Sequence, residues 1–160
     1  MQEAEKMEVD GALEVSASVP EIDVSHVELM QISIAGEPVL IAVSDVSEII
    51  RLQPLSVVPM APDHLLGVCN VHGQILCVID PCRVMRLEGK AAPDSPASRF
   101  VSLRHKVMNL ALRVDAVSEL FRVQESELAE LEKDSNAFFR GTISIEGCSY
   151  RVIDTAALFA

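Results

Sequence analysis

The sequence predicts an all-β protein with a few short helices. Apolar and polar residues alternate over short runs, as they do on the two faces of a β-strand. Turn residues such as glycine, proline and asparagine separate these runs about every 8 to 12 residues, a spacing typical of small sandwiches and barrels. An internal repeat indicates in addition that one β-unit of roughly sixty residues occurs twice.

Two blocks of sequence, in the same order, carry the repeat. Residues 46–53 are VSEIIRLQ and residues 117–124 are VSELFRVQ, with five of eight positions identical. A second block, with two glycines and a Val-Ile-Asp triplet, begins at Gly67 and recurs from Gly141. The offsets are 71 and 74 residues. Because a unit of this size is marginally stable alone, we expect the two copies to pack together and leave a groove for a partner.

The predicted strands pair into four hairpins, two in each copy. In the first copy, a strand at residues 30–34 is followed by a Gly-Glu-Pro break and a return strand at residues 39–43. A second hairpin joins residues 67–71 to residues 75–79 through a His-Gly-Gln turn. The second copy has corresponding pairs at residues 100–103 with 107–114 and at residues 141–145 with 148–153.

Short helices are predicted after the last strand of each copy. Asp80 and Asp154 are favourable N-cap residues, and Pro81 suits the first helical position. This capping role explains both aspartates better than a pair of catalytic carboxylates does. Residues 125–133 are expected to form a turn or two of helix, and the Pro, Gly and Ser content of residues 88–98 indicates a loop between the copies.

Composition and charge exclude several classes of function. The 160 residues are 49% hydrophobic and 23% charged, which fits one globular domain or two very small ones. A net charge of −11 argues against binding to nucleic acid or to an anionic membrane surface. No apolar run approaches the ~18 residues of a membrane span, and the N-terminus lacks the features of a signal peptide. We therefore expect a cytoplasmic protein with no direct membrane insertion.

The acidic charge is concentrated at the N-terminus. Residues 1–28 contain eight acidic residues and one basic residue, and few large apolar ones. Such a segment cannot bury enough surface to offset its ordering entropy, so residues 1–27 are predicted to be a disordered or loosely attached tail. Residues 28–160 form the predicted domain. The tail serves either to increase solubility or as a docking arm.

The sequence contains no positive sign of catalysis. The cysteines are Cys69, Cys77, Cys82 and Cys148, whose spacing fits free thiols better than a zinc site. Cys69 and His72 would lie on opposite faces of a strand, which is wrong for a thiolate–imidazole pair. Cys82 beside Arg83 is more simply a buried structural thiol than an activated one. Neither glycine-rich nucleotide-binding motif occurs, and no metal or other cofactor is expected.

Glu48 is the most informative charged residue of the repeat. It lies among apolar residues, and a carboxylate buried there would need a cationic partner such as Arg51, Arg122 or protonated His72. The alternative is that Glu48 lies on the exposed face of a half-buried strand.

Motifs spread along residues 28–160 resemble the CheW family of bacterial chemotaxis coupling proteins. In the first half they are VSEII at residues 46–50, VPMAP at 58–62, LGVCNVHG at 66–73 and VID at 78–80. In the second half they are LRVDAV at residues 112–117 and VID at 152–154. Each motif alone is weak, but their order and spacing together are specific.

The resemblance implies two small five-stranded SH3-like β-barrels packed together, in a non-catalytic adaptor. Family members bridge the cytoplasmic tip of a methyl-accepting chemoreceptor and the regulatory domain of a CheA-type histidine kinase. Matching to the family motifs implies partner-binding positions at Val46, Glu48, Ile49, Gly67, Asn70, His72 and Gly73.

One position departs from the family pattern. His72 stands where the family motif has arginine, near the glutamate matched here by Glu48. Histidine offers at most one charged donor, whereas arginine offers a permanent bidentate charge. The departure suggests a divergent or accessory member, serving either flagellar chemotaxis or the control of type IV pili and twitching. The alternative function is a CheW-like module that docks another partner outside the receptor–kinase array.

Overall fold

The computed structural model describes residues 25–159, so residues 1–24 of the predicted tail lie outside the described residues. His26 and Val27, which the sequence analysis assigned to the tail, are the first two residues of a β-strand. The described part of the chain is mostly β-structure with three short helices, which confirms the predicted fold class. The strands are β1 (His26–Ile34), β2 (Glu37–Ala42), β3 (Val46–Arg51), β4 (Leu65–Val71), β5 (Gln74–Ile79), β6 (Arg99–Leu103), β7 (Leu110–Val114), β8 (Ala116–Gln124), β9 (Phe139–Ile145) and β10 (Cys148–Ile153). The helices are α1 (Pro81–Val84), α2 (Glu125–Ala129) and α3 (Thr155–Leu158).

The strands form two five-stranded sheets that exchange hairpins between the copies of the repeat. Sheet one has the order β9-β10-β2-β1-β8, and sheet two has the order β3-β6-β7-β5-β4. The β1–β2 hairpin of the first copy therefore pairs with strands of the second copy, and the β6–β7 hairpin of the second copy pairs with strands of the first. Two packed copies had been expected, but neither copy forms a sheet by itself. In their backbone pairing both sheets are open ladders rather than closed barrels.

Two short crossovers produce this exchange. A 3-10 turn at Val43–Asp45 takes the chain from sheet one to sheet two, and Asp115 alone takes it back between β7 and β8. Each crossover is tied to the hairpin of the other copy. The backbone N–H of Arg104 donates to the carbonyl of Asp45 at 2.8 Å, and the backbone N–H of Gly36 donates to the Asp115 carboxylate at 3.3 Å.

Three tight hairpin turns are of the predicted kind, with glycine as the second turn residue. Both residues of each turn have positive φ, for example 52° at His72 and 80° at Gly73, as a type I′ turn requires. In the first hairpin the turn is one residue earlier than predicted, and Pro38 lies inside β2. Proline is tolerated there because the parallel pairing of β2 with β10 begins only at Val39.

The short helices begin where the sequence predicts. The Asp80 carboxylate accepts a hydrogen bond from the Cys82 backbone at 2.9 Å, and Asp154 accepts one from the Ala156 backbone at 3.2 Å. Both aspartates are therefore N-caps. The remaining helix, α2, is capped by Gln124 and is shorter than the predicted segment at residues 125–133.

The apolar core has three parts. The largest lies between the sheets and joins residues of both, such as Ile32 of sheet one and Leu112 of sheet two. The shared apolar surface predicted for the two copies is thus present. A smaller core lies on sheet one around Leu29, and another lies on sheet two around Val78.

Candidate functional site

A contact between Glu48 and His72 joins the two edges of sheet two. His72 Nε2 lies 2.9 Å from the Glu48 Oε2 atom, and the side chains are 75% and 44% exposed, respectively. Of the three cationic partners considered for Glu48, the described structure thus selects His72. Glu48 is also on the exposed face of β3. The alternative interpretation, an exposed position, is therefore confirmed, and Glu48 contacts His72 without being buried.

The position of each side chain in this pair follows from local structure. His72 and Gly73 form the β4–β5 turn, which the Asn70 carboxamide stabilises by accepting from the Gly73 backbone N–H at 3.1 Å. On β3, a register shift between Val46 and Glu48 marks a bulge against β6. A bulge changes the direction of the neighbouring side chain.

The pair shows how strongly sheet two curls. Glu48 lies on β3, and His72 lies in the turn that follows β4. These are the first and last strands in the order of the sheet, yet the two side chains are within hydrogen-bond distance. A small cavity of about 120 Å³ lies beneath the pair and is lined in part by Ile50, Ser102 and Leu76. The curl thus brings one exposed edge strand and one hairpin turn into a single surface.

The other predicted site residues divide into exposed and buried positions. Ile49 is 44% exposed on β3, beside Glu48. Asn70 and Gly73 are exposed at the β4–β5 turn, and Val46 is partly buried against the central core. Gly67, in contrast, is buried in β4. It influences the surface only through the packing of its strand.

Several exposed apolar residues were missed by sequence reasoning. Leu120 on β8 is 61% exposed and is the repeat equivalent of Ile49 at the offset of 71 residues. The repeat offset could therefore have identified Leu120 as an exposed position from its match to Ile49. The others are Val57, Val58 and Met60 in the β3–β4 loop, Ile75 on β5, and Val107 and Met108 in the β6–β7 loop. Nothing in the alternation pattern distinguishes these residues from core positions.

The buried thiols are poor nucleophiles. Cys82 is buried, and this burial, reinforced by the nearby Asp80 carboxylate, raises the pKa of its thiol to about 11. Burial also raises the pKa of the Cys69 thiol. Because the thiolate is the reactive form, both residues are structural, as the sequence predicts for Cys82.

Alkylation by iodoacetamide near pH 8 is expected to modify Cys148 first and to leave Cys82 unmodified in the folded protein. Cys148 is exposed, whereas Cys82 is both inaccessible and almost fully protonated at that pH. Mass spectrometry of the labelled peptides gives the order of reaction, and labelling in urea, where all four thiols should react, is the control. Equal labelling rates for Cys82 and Cys148 in the folded protein would contradict this assignment.

Within residues 25–159, no set of three or more His, Cys, Asp or Glu residues is placed to hold a metal ion. No helix of the same range has the length and apolar character needed to cross a membrane.

Comparison with known proteins identifies the family. The family model for the CheW-like domain matches residues 28–160. The chain belongs to the CheW-like family. The CheW-like match starts two residues after β1 begins at His26.

Curated relatives and a solved structure agree with the CheW-like assignment. The chain is 28% identical over 154 residues to a probable chemotaxis protein CheW of Rhizobium etli, covering 91% of this chain and 96% of the relative. It is 27% identical over 136 residues to the chemotaxis protein CheW of Rhizobium meliloti, covering 82% and 86%. The fold matches the scaffolding protein TtCheW of Thermoanaerobacter tengcongensis with a TM-score of 0.73 at 23% identity, covering 84% of this chain and 88% of that one.

Proposed function

We propose that this CheW-like chain is a non-catalytic adaptor that couples the cytoplasmic tip of a methyl-accepting chemoreceptor to the regulatory domain of a CheA-type histidine kinase. Two relatives are named as chemotaxis CheW proteins, and the solved structure with this fold is a scaffolding protein. The adaptor acts in the cytoplasm and is held at membrane receptor arrays through its partners. Its domain starts with β1, whose first residue is His26, and the acidic residues that precede this strand are an accessory tail.

The observation that carries the proposal is the exposed surface formed by β3 and the β4–β5 turn. We name it the β3 surface and define it by Val46, Glu48, Ile49, Asn70, His72 and Gly73. It combines one large exposed apolar side chain with the Glu48–His72 contact and a type I′ turn. An apolar anchor surrounded by polar groups is the usual composition of a protein-binding surface. The β3 surface is assigned to the receptor.

An adaptor also requires a second surface for its other partner. Exposed apolar residues continue around sheet two, where Ile75 is 57% exposed on β5 and Met108 is 42% exposed in the β6–β7 loop. A hydrogen bond from Asn109 to Gln74 at 3.3 Å holds these two elements together. This end of sheet two is assigned to the kinase domain. The raised pKa values of the Cys69 and Cys82 thiols support a role without covalent chemistry.

Substitution of Glu48 by alanine is expected to weaken receptor binding, and His72→Arg is expected to preserve or strengthen it. Arginine keeps a charged donor opposite Glu48 at every pH, whereas alanine removes the acceptor. Because the pair is exposed, its coupling is at most about 1 kcal/mol, or roughly a fivefold change in Kd. Calorimetry with a soluble receptor-tip hairpin gives the affinities.

The ion pair between Glu37 and Arg151 provides a matched control for this test. Glu37 is 41% exposed, close to the 44% of Glu48, and lies 3.3 Å from Arg151, but this pair is on sheet one. Glu37→Ala should therefore leave receptor binding unchanged. Equal and negligible effects of Glu48→Ala and His72→Arg would remove the pair from the proposed site, and an effect of Glu37→Ala as large as that of Glu48→Ala would show that charge alone matters.

A further inference from the structure

The β6–β7 loop is organised by the imidazole of His105. The ring nitrogen Nδ1 lies 3.1 Å from the backbone nitrogen of Val107 and 3.0 Å from that of Met108. A backbone N–H group can only donate a hydrogen bond and cannot accept one. His105 Nδ1 must therefore accept both hydrogen bonds, which requires the neutral ring with its proton on Nε2.

The same ring also contacts the C-terminal segment of the described chain. His105 stacks on Phe159 with 4.2 Å between the ring centroids and an angle of 21° between the planes. The β6–β7 loop belongs to sheet two, whereas Phe159 follows β10 of sheet one through α3. The imidazole thus links the loop to the end of the other half of the molecule.

The charged residues Arg104, next to His105 in sequence, and Asp154, at the packed helix, make hydrogen bonds with other groups. On the loop itself, Arg104 is engaged with the carbonyls of Ser44 and Val46 at 3.1 and 3.0 Å, and Lys106 is the other charged residue. On the packed element α3, the titratable residue is Asp154, whose carboxylate caps the helix. Within residues 25–159, the imidazole accepts hydrogen bonds from the two backbone N–H groups and stacks on the Phe159 ring.

We propose that His105 is a pH-sensitive latch that holds the β6–β7 loop when neutral and releases it when protonated. A proton on Nδ1 would place an N–H bond against two other N–H donors, so the loop must rearrange to accommodate it. The latched form is present at high pH and is lost as the pH falls. This inference concerns the loop itself, and only its consequence for partner binding rests on the proposed function.

Release of the latch changes the apolar surface that the protein offers. Val107 is 83% exposed and Met108 is 42% exposed, and both hold their positions through the hydrogen bonds to His105. A partner that binds the ordered loop would therefore bind more weakly at acidic pH. Association with such a partner becomes sensitive to the pH of the cell interior.

Nuclear magnetic resonance of the full chain between about pH 8 and pH 5 tests the latch directly, since this range spans the titration of an ordinary histidine. Ring nitrogen shifts identify the protonated nitrogen, and hydrogen exchange, corrected for its intrinsic pH dependence, reports on the Val107 and Met108 amides. We expect the Nε2–H form at high pH. As the ring is protonated, protection of both amides should fall about tenfold, the loss expected for one ordinary hydrogen bond.

Two variants separate the hydrogen bonds from the stacking. His105→Asn keeps a side-chain acceptor for the amides two and three residues later but does not titrate, so protection should be independent of pH. His105→Phe keeps an aromatic ring against Phe159 but has no acceptor, so protection should be low at every pH. The amide of Cys82, which is hydrogen-bonded to Asp80, serves as an internal reference. An Nδ1–H form at high pH, or the same pH response in the protein and in His105→Asn, would overturn the proposal.

Discussion

Replacement of Asp115 by alanine should lower the free energy of unfolding by about 3 kcal/mol or more, the usual cost of removing one member of a buried ion pair. Asp115 Oδ1 lies 2.6 Å from Arg113 Nη1, and the two side chains are 9% and 6% exposed. The same carboxylate accepts hydrogen bonds from the Ala92 and Gly36 backbones at 3.0 and 3.3 Å. It therefore ties the loop at residues 88–98 and the first hairpin to the crossover between the sheets.

Urea unfolding followed by circular dichroism measures this effect. Asp94 provides the matched control, because it also binds Arg113, at 3.0 Å, but is 79% exposed. Asp94→Ala should cost less than about 1 kcal/mol, as exposed ion pairs usually do. Replacement of both Arg113 and Asp115 by apolar residues should recover part of the loss, since no buried charge is then left unpaired. A cost for Asp115→Ala no larger than that for Asp94→Ala would contradict the assigned role.

Alanine at Gly67 or at Gly141 is expected to destabilise the protein by about 2 to 5 kcal/mol, from overpacking together with backbone strain. The two glycines have φ values of +154° and +153°. A β-carbon at Gly67 would lie 2.7 Å from the Ser56 carbonyl oxygen, and one at Gly141 would lie 2.6 Å from the Glu132 carbonyl oxygen. Both obstacles are backbone atoms, which cannot move aside as a flexible side chain can.

Gly73 and Gly147 are the matched controls for these two substitutions. Their φ values are also positive, but a β-carbon there meets no atom within 4 Å. Alanine at either position should cost only the strain of the left-handed conformation, about 1 to 2 kcal/mol. The comparison by urea unfolding also tests the repeat, because Gly67→Ala and Gly141→Ala should have similar effects. If all four variants lost the same stability, close packing at Gly67 and Gly141 would not be the cause.

Features that depend on neighbouring residues could be predicted from the sequence. The His72-Gly73 turn and the Asp80 and Asp154 caps depend on a few adjacent residues, and all were predicted. The β3 and β8 strands were found as one repeated block, although only the structure shows that both are edge strands.

Features that depend on distant segments could not be predicted in the same way. Hairpin exchange leaves each alternation pattern unchanged, so the pattern cannot distinguish pairing within one copy from pairing between copies. Arg113 and Asp115 form part of a motif, but their burial depends on the loop at residues 88–98. Sequence reasoning proposed three partners for Glu48, and the curl of sheet two selects His72. The hydrogen bonds of His105 involve backbone groups, which leave no trace in the sequence.

The adaptor function is tested most directly by calorimetric titration of the full chain with the regulatory domain of the CheA-type kinase encoded in the same genome. We predict saturable one-to-one binding with a Kd of ~10 μM or tighter, the range of weak but specific interfaces. A chain lacking residues 2–24, which retains β1, should bind equally well. Absence of heat and of complex at concentrations well above ~10 μM, with the protein shown to be folded, would contradict the adaptor function.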